Sequence, residues 1–178
     1  LPGTWVQVAD AAESMARIAN AFFGRPSEAM TVIGVTGTNG KTTTTYLLEA
    51  IVAAAGGKPA VAGTIENRLA GEHLAKAVNT TPISLSLLRL LARFSAGGAT
   101  HALLEVSSHA VALKRVETVD FDACLFLNLT RDHLDFHKTA EKYFEAKARL
   151  FDLLARADNK KNPKVAALNF DDPRAHLL

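Results

Sequence analysis

The chain alternates between short apolar runs rich in β-branched residues and longer stretches in which apolar residues recur with helical spacing. The short runs predict buried strands at residues 31–36, 59–62, 99–106, 121–129 and 165–168. The longer stretches predict helices at residues 10–23, 42–55, 83–94 and 138–155. Strands that alternate with helices predict an α/β fold with a mostly parallel sheet flanked by helices.

Two polar stretches interrupt this alternation. A hairpin is predicted around Gly71, and Asn79-Thr80-Thr81-Pro82 precedes the third helix. Thr81 is a suitable N-cap and Pro82 fits the first helical turn, so a helix start explains this stretch by itself. A role in ligand binding is the alternative that the spacing leaves open.

The sequence TVIGVTGTNGKTTTT predicts a phosphate-binding loop between the first strand and the helix after it. Gly37 and Gly40 permit backbone conformations in which successive N–H groups point at phosphate oxygens, at the positive end of the helix. Lys41 would then reach the β- and γ-phosphates, and Thr42 a magnesium ion. The loop is a variant, because Val35 stands where the pattern G-x-x-x-x-G-K-[ST] has glycine. A plain tight turn is the alternative, but it leaves the Lys-Thr pair at this junction unexplained.

Two other strands lead to residues that can bind a metal ion. Glu105 lies at the end of the strand predicted at residues 99–106, and His133 follows the strand at residues 121–129. Because ligands of open α/β sheets bind outside the carboxyl ends of the strands, Glu105 can lie beside the phosphate loop and coordinate its magnesium. A surface acid is the alternative for Glu105. Four other histidines are interpreted as hydrogen-bonded bystanders: His73, His101, His137 and His176.

Lys147 is the least expected charge in the helix at residues 138–155. Its neighbours three and four positions away are apolar or aromatic: Tyr143, Phe144, Leu150 and Phe151. An amine in this position must reach solvent along its own stem, pair with an acid or lose its proton.

Composition argues against several classes of protein. The 178 residues carry 20 Lys and Arg against 18 Asp and Glu, so neither nucleic acid nor a membrane surface is expected as a partner. The one cysteine, Cys124, can form no internal disulfide, which fits a reducing compartment. Because no apolar run approaches about 18 residues and no basic-then-apolar leader is present, we expect a cytoplasmic protein. We also expect a monomer.

The ordered motifs GVTGTNGKTTT, NTTP, LLEVSSH, NLTRDHLDFH, YFEAK and NFDDP resemble those of the Mur ligase family. EVSSHA, preceded by NTTP and followed by Arg115, is most similar to the type that adds the third amino acid of the peptidoglycan stem peptide. The resemblance implies the end of a UDP-binding first domain at residues 1–29 and an incomplete ATP-binding central domain at residues 30–178. The third domain, which carries the incoming amino acid in this family, would be absent, and a start without methionine would fit an upstream domain that has been removed.

The resemblance also implies roles for single residues. Lys41 would contact the γ-phosphate of ATP, and the positions that resemble the nucleotide site are Gly37, Thr38, Asn39, Gly40, Lys41, Thr42, Thr43 and Asn128. Thr42, Glu105 and His133 resemble magnesium ligands. The UDP-muramoyl peptide would be held by Asn79, Thr80, Thr81, Ser107 and Arg115. Leu113 departs from the pattern, since relatives with glutamine there have a further substrate contact.

Lys147 resembles the lysine that the family carbamylates. We expect carbamylation rather than solvent contact, because the apolar neighbours should lower the pKa of this amine from ~10.4 and expose the neutral form that adds carbon dioxide. The carbamate would be an anionic oxygen ligand beside His133 and could hold a second magnesium.

The family reaction is ATP-dependent amide formation through an acyl phosphate. It implies ATP and Mg²⁺ as cofactors, and a UDP-N-acetylmuramoyl dipeptide and an amino acid as substrates. Lys41 and magnesium would neutralise charge as the substrate carboxylate attacks the γ-phosphoryl group. The alternatives are a ligase like folylpolyglutamate synthase and a nucleotide-binding regulatory module without ligase activity. We expect no ligation from the 178 residues alone.

Overall fold

The computed structural model describes residue 3, residues 5–156 and residues 163–178, so positions 1, 2 and 4 of the leading segment lie outside the described residues. Seven described strands form one sheet in the order β4-β3-β2-β5-β1-β6-β7. They are β1 (Thr31–Thr36), β2 (Pro59–Ala62), β3 (Glu66–Leu69), β4 (Glu72–Lys76), β5 (His101–Glu105), β6 (Ala123–Phe126) and β7 (Val165–Leu168). All neighbours from β2 to β7 in this order are parallel, and β3 and β4 add an antiparallel hairpin at one edge. The predicted fold class is confirmed.

Helices pack on this sheet, and the described residues contain six α-helices. They are α1 (Ala11–Phe22), α2 (Lys41–Ala54), α3 (Ser84–Ala96), α4 (Ser108–Ala112), α5 (Leu134–His137) and α6 (Ala140–Ala155). The four predicted helices are confirmed, whereas α4 and α5 were not predicted because one helical turn is too short to show a periodic pattern. Among the described residues, no helix is both long and apolar enough to cross a membrane.

The core is built around α3. Its leucines recur on one face, and Leu87, Leu88 and Leu91 are fully buried. Helix α1 packs on α3, and its Ala16 and Ala19 are buried. Helix α1 begins after Asp10, whose side chain caps it by accepting from the Glu13 N–H.

The predicted N-cap of α3 is wrong. The helix begins at Ser84, and the N-cap position is held by Ile83, whose side chain makes no capping hydrogen bond. Thr81 is buried, and its hydroxyl donates to the Glu105 carbonyl at 2.8 Å and accepts from the Ser107 N–H at 3.1 Å. The hydroxyl that could have capped the helix therefore joins two loops at the carboxyl end of the sheet.

The strand order decides which loops meet. Strands β2, β5, β1 and β6 are parallel neighbours, so the residues that follow them lie along one edge. Thr64 follows β2, Glu105 ends β5, Gly37 follows β1 and Asn128 follows β6. This carboxyl edge carries the candidate site.

Candidate functional site

The loop after β1 wraps around the amino end of α2, as predicted. Gly40 is the N-cap of α2 and has a φ of 87°, a left-handed conformation that favours glycine. A Cβ at Gly37 would lie 2.9 Å from Leu127 Cβ, so a side chain there would force the loop away from the end of β6. Both glycines are therefore required by the shape of the loop.

The segment after β6 holds this loop in place. The Asn128 side chain accepts from the Asn39 N–H at 3.0 Å and donates to the Asn39 carbonyl at 3.1 Å. The Thr38 hydroxyl accepts from the Thr130 N–H at 3.0 Å. Asn128, predicted from resemblance as a nucleotide-binding residue, thus bonds the loop itself in this structure.

Lys41 is the first residue of α2 and folds back over the loop. Its Nζ donates to the carbonyl oxygens of Gly37 and Thr38, both at 2.9 Å. Burial lowers the pKa of this amine, against the attraction of Glu105 and Asp132. Within the described part of the chain, no carboxylate oxygen lies within 4.0 Å of the amine.

Glu105 is only 1% exposed and is held by neutral donors. The Thr42 hydroxyl donates to Oε2 at 3.0 Å, and Thr64 donates its N–H to Oε1 at 2.9 Å and its hydroxyl to Oε2 at 2.8 Å. A Cβ at Gly63 would overlap Oε1, so the chain after β2 passes directly against this carboxylate. The predicted approach of Glu105 to the phosphate loop is present.

Glu105 and the loop line one open cavity of about 180 Å³. Its lining residues are Thr38, Asn39, Gly40, Lys41, Thr42, Thr43, Thr64 and Glu105. The Thr42 hydroxyl and the Glu105 carboxylate are hard oxygen ligands of the kind that Mg²⁺ prefers. No group of three or more His, Cys, Asp or Glu among the described residues could hold a metal ion alone, so an ion here needs oxygens from a bound ligand or water.

Lys147 approaches the same loop from α6. It is 1% exposed, its Nζ donates to the Gly37 carbonyl at 2.9 Å, and it lies 4.6 Å from the centroid of the Tyr143 ring. Burial, followed by the charge of Lys41, lowers the pKa of this amine to about 7. The amine does not reach solvent, and two amines share the Gly37 carbonyl. Carbamylation of Lys147 stays a prediction.

His133 also lies beside the Tyr143 ring. It is the N-cap of α5 with a φ of 50°, and its ring centroid is 6.0 Å from that of Tyr143. Lys147 and His133 therefore both lie against one tyrosine ring. His137, interpreted as a bystander, is buried and its Nε2 lies 2.9 Å from Ser108 Oγ.

Four of the five residues predicted to hold the peptide substrate are brought together: Thr80, Thr81, Ser107 and Arg115. The Arg115 guanidinium donates to the Thr81 carbonyl at 2.9 Å. Thr80 Oγ1 lies 3.1 Å from Thr64 Oγ1. Asn79 instead lines a separate groove of about 390 Å³ beside α3, and Leu113 is 43% exposed at the end of α4.

Two residues of this site were not predicted as functional. Thr64 lies just after the strand predicted at residues 59–62 and was given no role, although it follows β2 as Glu105 ends the neighbouring β5. Tyr143 was interpreted only as an apolar neighbour of Lys147, but its hydroxyl lies 3.2 Å from Thr38 Oγ1. A polar residue directly after a predicted strand was the available signal for Thr64, and the i−4 spacing to Lys147 was the signal for Tyr143.

A glycine loop at a strand-to-helix junction, at the carboxyl edge of a parallel sheet, is typical of nucleotide-binding folds with a phosphate-binding loop. A family model, the Mur ligase middle domain, matches residues 35–178. The chain belongs to this family.

Known relatives narrow the comparison. The chain is 50% identical over 170 residues to the UDP-N-acetylmuramoyl-L-alanyl-D-glutamate--2,6-diaminopimelate ligase of Geobacter metallireducens, covering 96% of this chain and 33% of that protein. A solved structure of a ligase of the same name is 34% identical, with a TM-score of 0.78 over 98% of this chain and 35% of that one. The chain thus spans about a third of the length of the curated relatives it matches.

A more distant structure shares the fold. It is the bifunctional folylpolyglutamate synthase/dihydrofolate synthase of Yersinia pestis, complexed with AMPPNP and a Mn ion. Its TM-score is 0.66 at 19% identity, over 98% of this chain and 45% of that one. The fold is therefore common to proteins with different names.

Proposed function

We propose that these residues are the ATP-binding part of a Mur ligase of the MurE type. The complete enzyme would add an amino acid, 2,6-diaminopimelate by analogy with the relatives, to UDP-N-acetylmuramoyl-L-alanyl-D-glutamate. The observation that carries the proposal is the cavity that Lys41 and the Glu105 carboxylate line together with the glycine loop, in which the Lys41 amine donates, among the described residues, only to loop carbonyl oxygens. An amine without a carboxylate partner at the start of a helix fits a polyanion such as the triphosphate of ATP.

In this proposal the loop binds the phosphates of ATP. Backbone N–H groups of residues 37–43 face the phosphates at the start of α2, and Asn128 keeps the loop in shape. Lys41 leaves the two carbonyl oxygens and contacts the γ-phosphate, where it stabilises the charge that develops during transfer. No nucleophilic side chain is needed, because the substrate carboxylate attacks the phosphoryl group and the incoming amine then displaces phosphate.

Magnesium is the proposed metal cofactor. Bound magnesium would neutralise phosphate charge as a Lewis acid. Thr42 and Glu105 would hold one ion, and His133 and a carbamylated Lys147 a second. The pKa of Lys147, near 7, makes the neutral amine available at physiological pH, and this is the form that can add carbon dioxide.

The acceptor would bind beside Glu105. We assign its contacts to Asn79, Thr80, Thr81, Ser107 and Arg115, of which the last four meet at this end of the sheet. The incoming amino acid would be bound by a further domain, and residues 1–29 would be the end of a preceding UDP-binding domain. We propose a cytoplasmic monomer with no nucleic-acid or membrane partner.

The test is ADP formation by the complete ligase that carries this chain. We expect continued ADP formation, beyond the one equivalent per enzyme that acyl-phosphate formation releases, only when UDP-N-acetylmuramoyl-L-alanyl-D-glutamate and diaminopimelate are both present, and no amide product from the 178 residues alone. ADP formation with a folate and glutamate would support the folylpolyglutamate synthase alternative. Nucleotide binding without turnover on either pair would support a regulatory module.

A further inference from the structure

We propose that Thr64 is a positioning residue that couples the acceptor loop at residues 79–81 to the carboxylate of Glu105. This inference rests on the proposed function, in which residues 79–81 bind the UDP-linked acceptor substrate and Glu105 binds the metal ion. Thr64 lies between the acceptor loop and Glu105, and it belongs neither to the NTTP motif nor to the LLEVSSH motif.

The contacts of Thr64 fix the orientation of the carboxylate. Its N–H donates to Oε1 at 2.9 Å and its hydroxyl to Oε2 at 2.8 Å, so one residue holds both oxygens of Glu105. The absence of a Cβ at Gly63 lets the backbone come this close. A carboxylate held at both oxygens cannot rotate freely, which keeps it preorganised for a metal ion.

The hydroxyl contacts also have a direction. Thr64 Oγ1 lies 3.1 Å from Thr80 Oγ1, but a hydroxyl has a single hydrogen and an ionised carboxylate can only accept. The Thr64 hydroxyl is placed to donate both to Thr80 Oγ1 and to Glu105 Oε2, so these two oxygens compete for one hydrogen. When the hydrogen goes to Thr80, Glu105 Oε2 loses one of its donors.

This competition links occupancy of the two sites. A substrate group that donates to Thr80 Oγ1 satisfies that oxygen and leaves the Thr64 hydrogen to Glu105, whereas a substrate that draws the Thr64 hydrogen to Thr80 removes it from Glu105. Acceptor binding therefore changes the hydrogen bonding of Glu105, and metal-nucleotide binding must change acceptor affinity by the same factor. A second link, from the Thr81 hydroxyl to the Glu105 carbonyl, holds the backbone of the same loop.

The first experiment titrates the 178-residue chain with AMPPNP and Mn²⁺ by calorimetry. Thr64→Val removes the hydroxyl at nearly constant shape and is expected to weaken Mn²⁺ binding about tenfold, in the range typical of groups that orient a metal ligand. Thr64→Ser keeps the hydroxyl and should bind within about twofold of wild type. Thr118→Val is the matched control, because it removes a hydroxyl that donates to the Ala16 carbonyl far from this edge.

The second experiment tests the coupling in the complete ligase. Addition of UDP-N-acetylmuramoyl-L-alanyl-D-glutamate should change the Mn²⁺·AMPPNP dissociation constant of the wild type but not of Thr64→Val. In a double-mutant cycle, Thr80→Val should alter Mn²⁺ binding in the wild-type background and have no effect in Thr64→Val.

Three results would overturn the proposal: wild-type Mn²⁺ affinity in Thr64→Val, equal weakening in Thr64→Ser, or additive effects of the two substitutions. Each of these results leaves the proposed function intact if the wild-type chain binds AMPPNP and Lys41→Ala weakens that binding. A wild-type chain that binds no nucleotide would overturn both.

Discussion

Buried charges have different partners at the two ends of the parallel strands: the carboxyl edge described above, and the amino edge, where the strands begin. At the amino edge, Glu117 pairs with Arg149 at 2.8 Å and Arg156 at 2.6 Å. At the carboxyl edge, Glu105 and Lys147 are each 1% exposed, yet in the described residues their hydrogen bonds go to hydroxyl, N–H and carbonyl groups.

The difference separates structural charges from those available to a ligand. A buried charge without an opposite charge costs folding free energy, so the amino edge is arranged for stability and the carboxyl edge is not. A bound triphosphate would supply the missing negative charge to Lys41, a metal ion would supply the missing positive charge to Glu105, and carbamylation would replace the charge of Lys147. The cost of the carboxyl edge is therefore offset only when ligands bind.

The largest expected effect is that of Lys41→Ala in the complete ligase. Loss of this charge should slow acyl-phosphate formation by ~3 kcal/mol or more, over a hundredfold in rate, with UDP-substrate binding nearly unchanged. Lys164→Ala is the matched control at the amino edge, where the amine pairs with Asp120 at 2.8 Å, and should lower stability without affecting turnover. Near-native turnover of Lys41→Ala, measured by rapid quench, would contradict the assignment.

Lys147→Ala should also inactivate the complete ligase, by about a hundredfold if the side chain orients a metal ion. Because the lost group is proposed to be a carbamate, a short carboxylic acid such as acetate should restore part of the activity by occupying the vacated space. Full activity of the variant without added acid would show that the carbamate has no role.

Lys147→Met should stabilise the protein. We expect a gain of roughly 2 kcal/mol in the free energy of unfolding at pH 6 in buffer free of carbon dioxide. The pKa of Lys147 falls from 10.5 to about 7 on folding, so the unfolded chain binds more protons between these values and wild-type stability rises with pH in that window. The gain should therefore be full below pH 7 and shrink as pH rises toward 10. Equal gains at pH 6 and pH 9, measured by urea unfolding, would show that the amine is not desolvated.

Glu117→Gln has the smallest expected effect and tests the amino edge. It removes the charge from a carboxylate bonded to two arginines, and we expect a loss of about 1 kcal/mol of stability because both arginines are partly exposed. AMPPNP affinity should not change. A weaker AMPPNP affinity of Glu117→Gln would contradict the proposal that the amino-edge charges are structural and only the carboxyl-edge charges serve ligand binding.

The sequence predicted the parts of this contrast that are local in the chain. Strand periodicity placed Glu105 at a strand end, and helical spacing placed Lys147 among apolar neighbours, so both charges could be singled out. The phosphate loop was recognised because its glycines and lysine are adjacent in sequence.

The remaining parts depend on strand order. Thr64 meets Glu105 only because β2 and β5 are neighbours, although 41 positions separate the two residues. Thr81 satisfied the rules for a helix cap, but a tertiary hydrogen bond to the Glu105 carbonyl took its hydroxyl. Local helix propensity could not decide whether this hydroxyl bonds an N–H at the start of α3 or the Glu105 carbonyl.

The most direct test of the central claim is a crystal structure of this chain with AMPPNP and Mg²⁺. The γ-phosphate should replace the Gly37 and Thr38 carbonyls as the partner of Lys41, with the ion about 2.0–2.1 Å from oxygens of Thr42 and Glu105. A nucleotide bound elsewhere, with Lys41 still on the two carbonyls and no ion beside Glu105, would contradict the account.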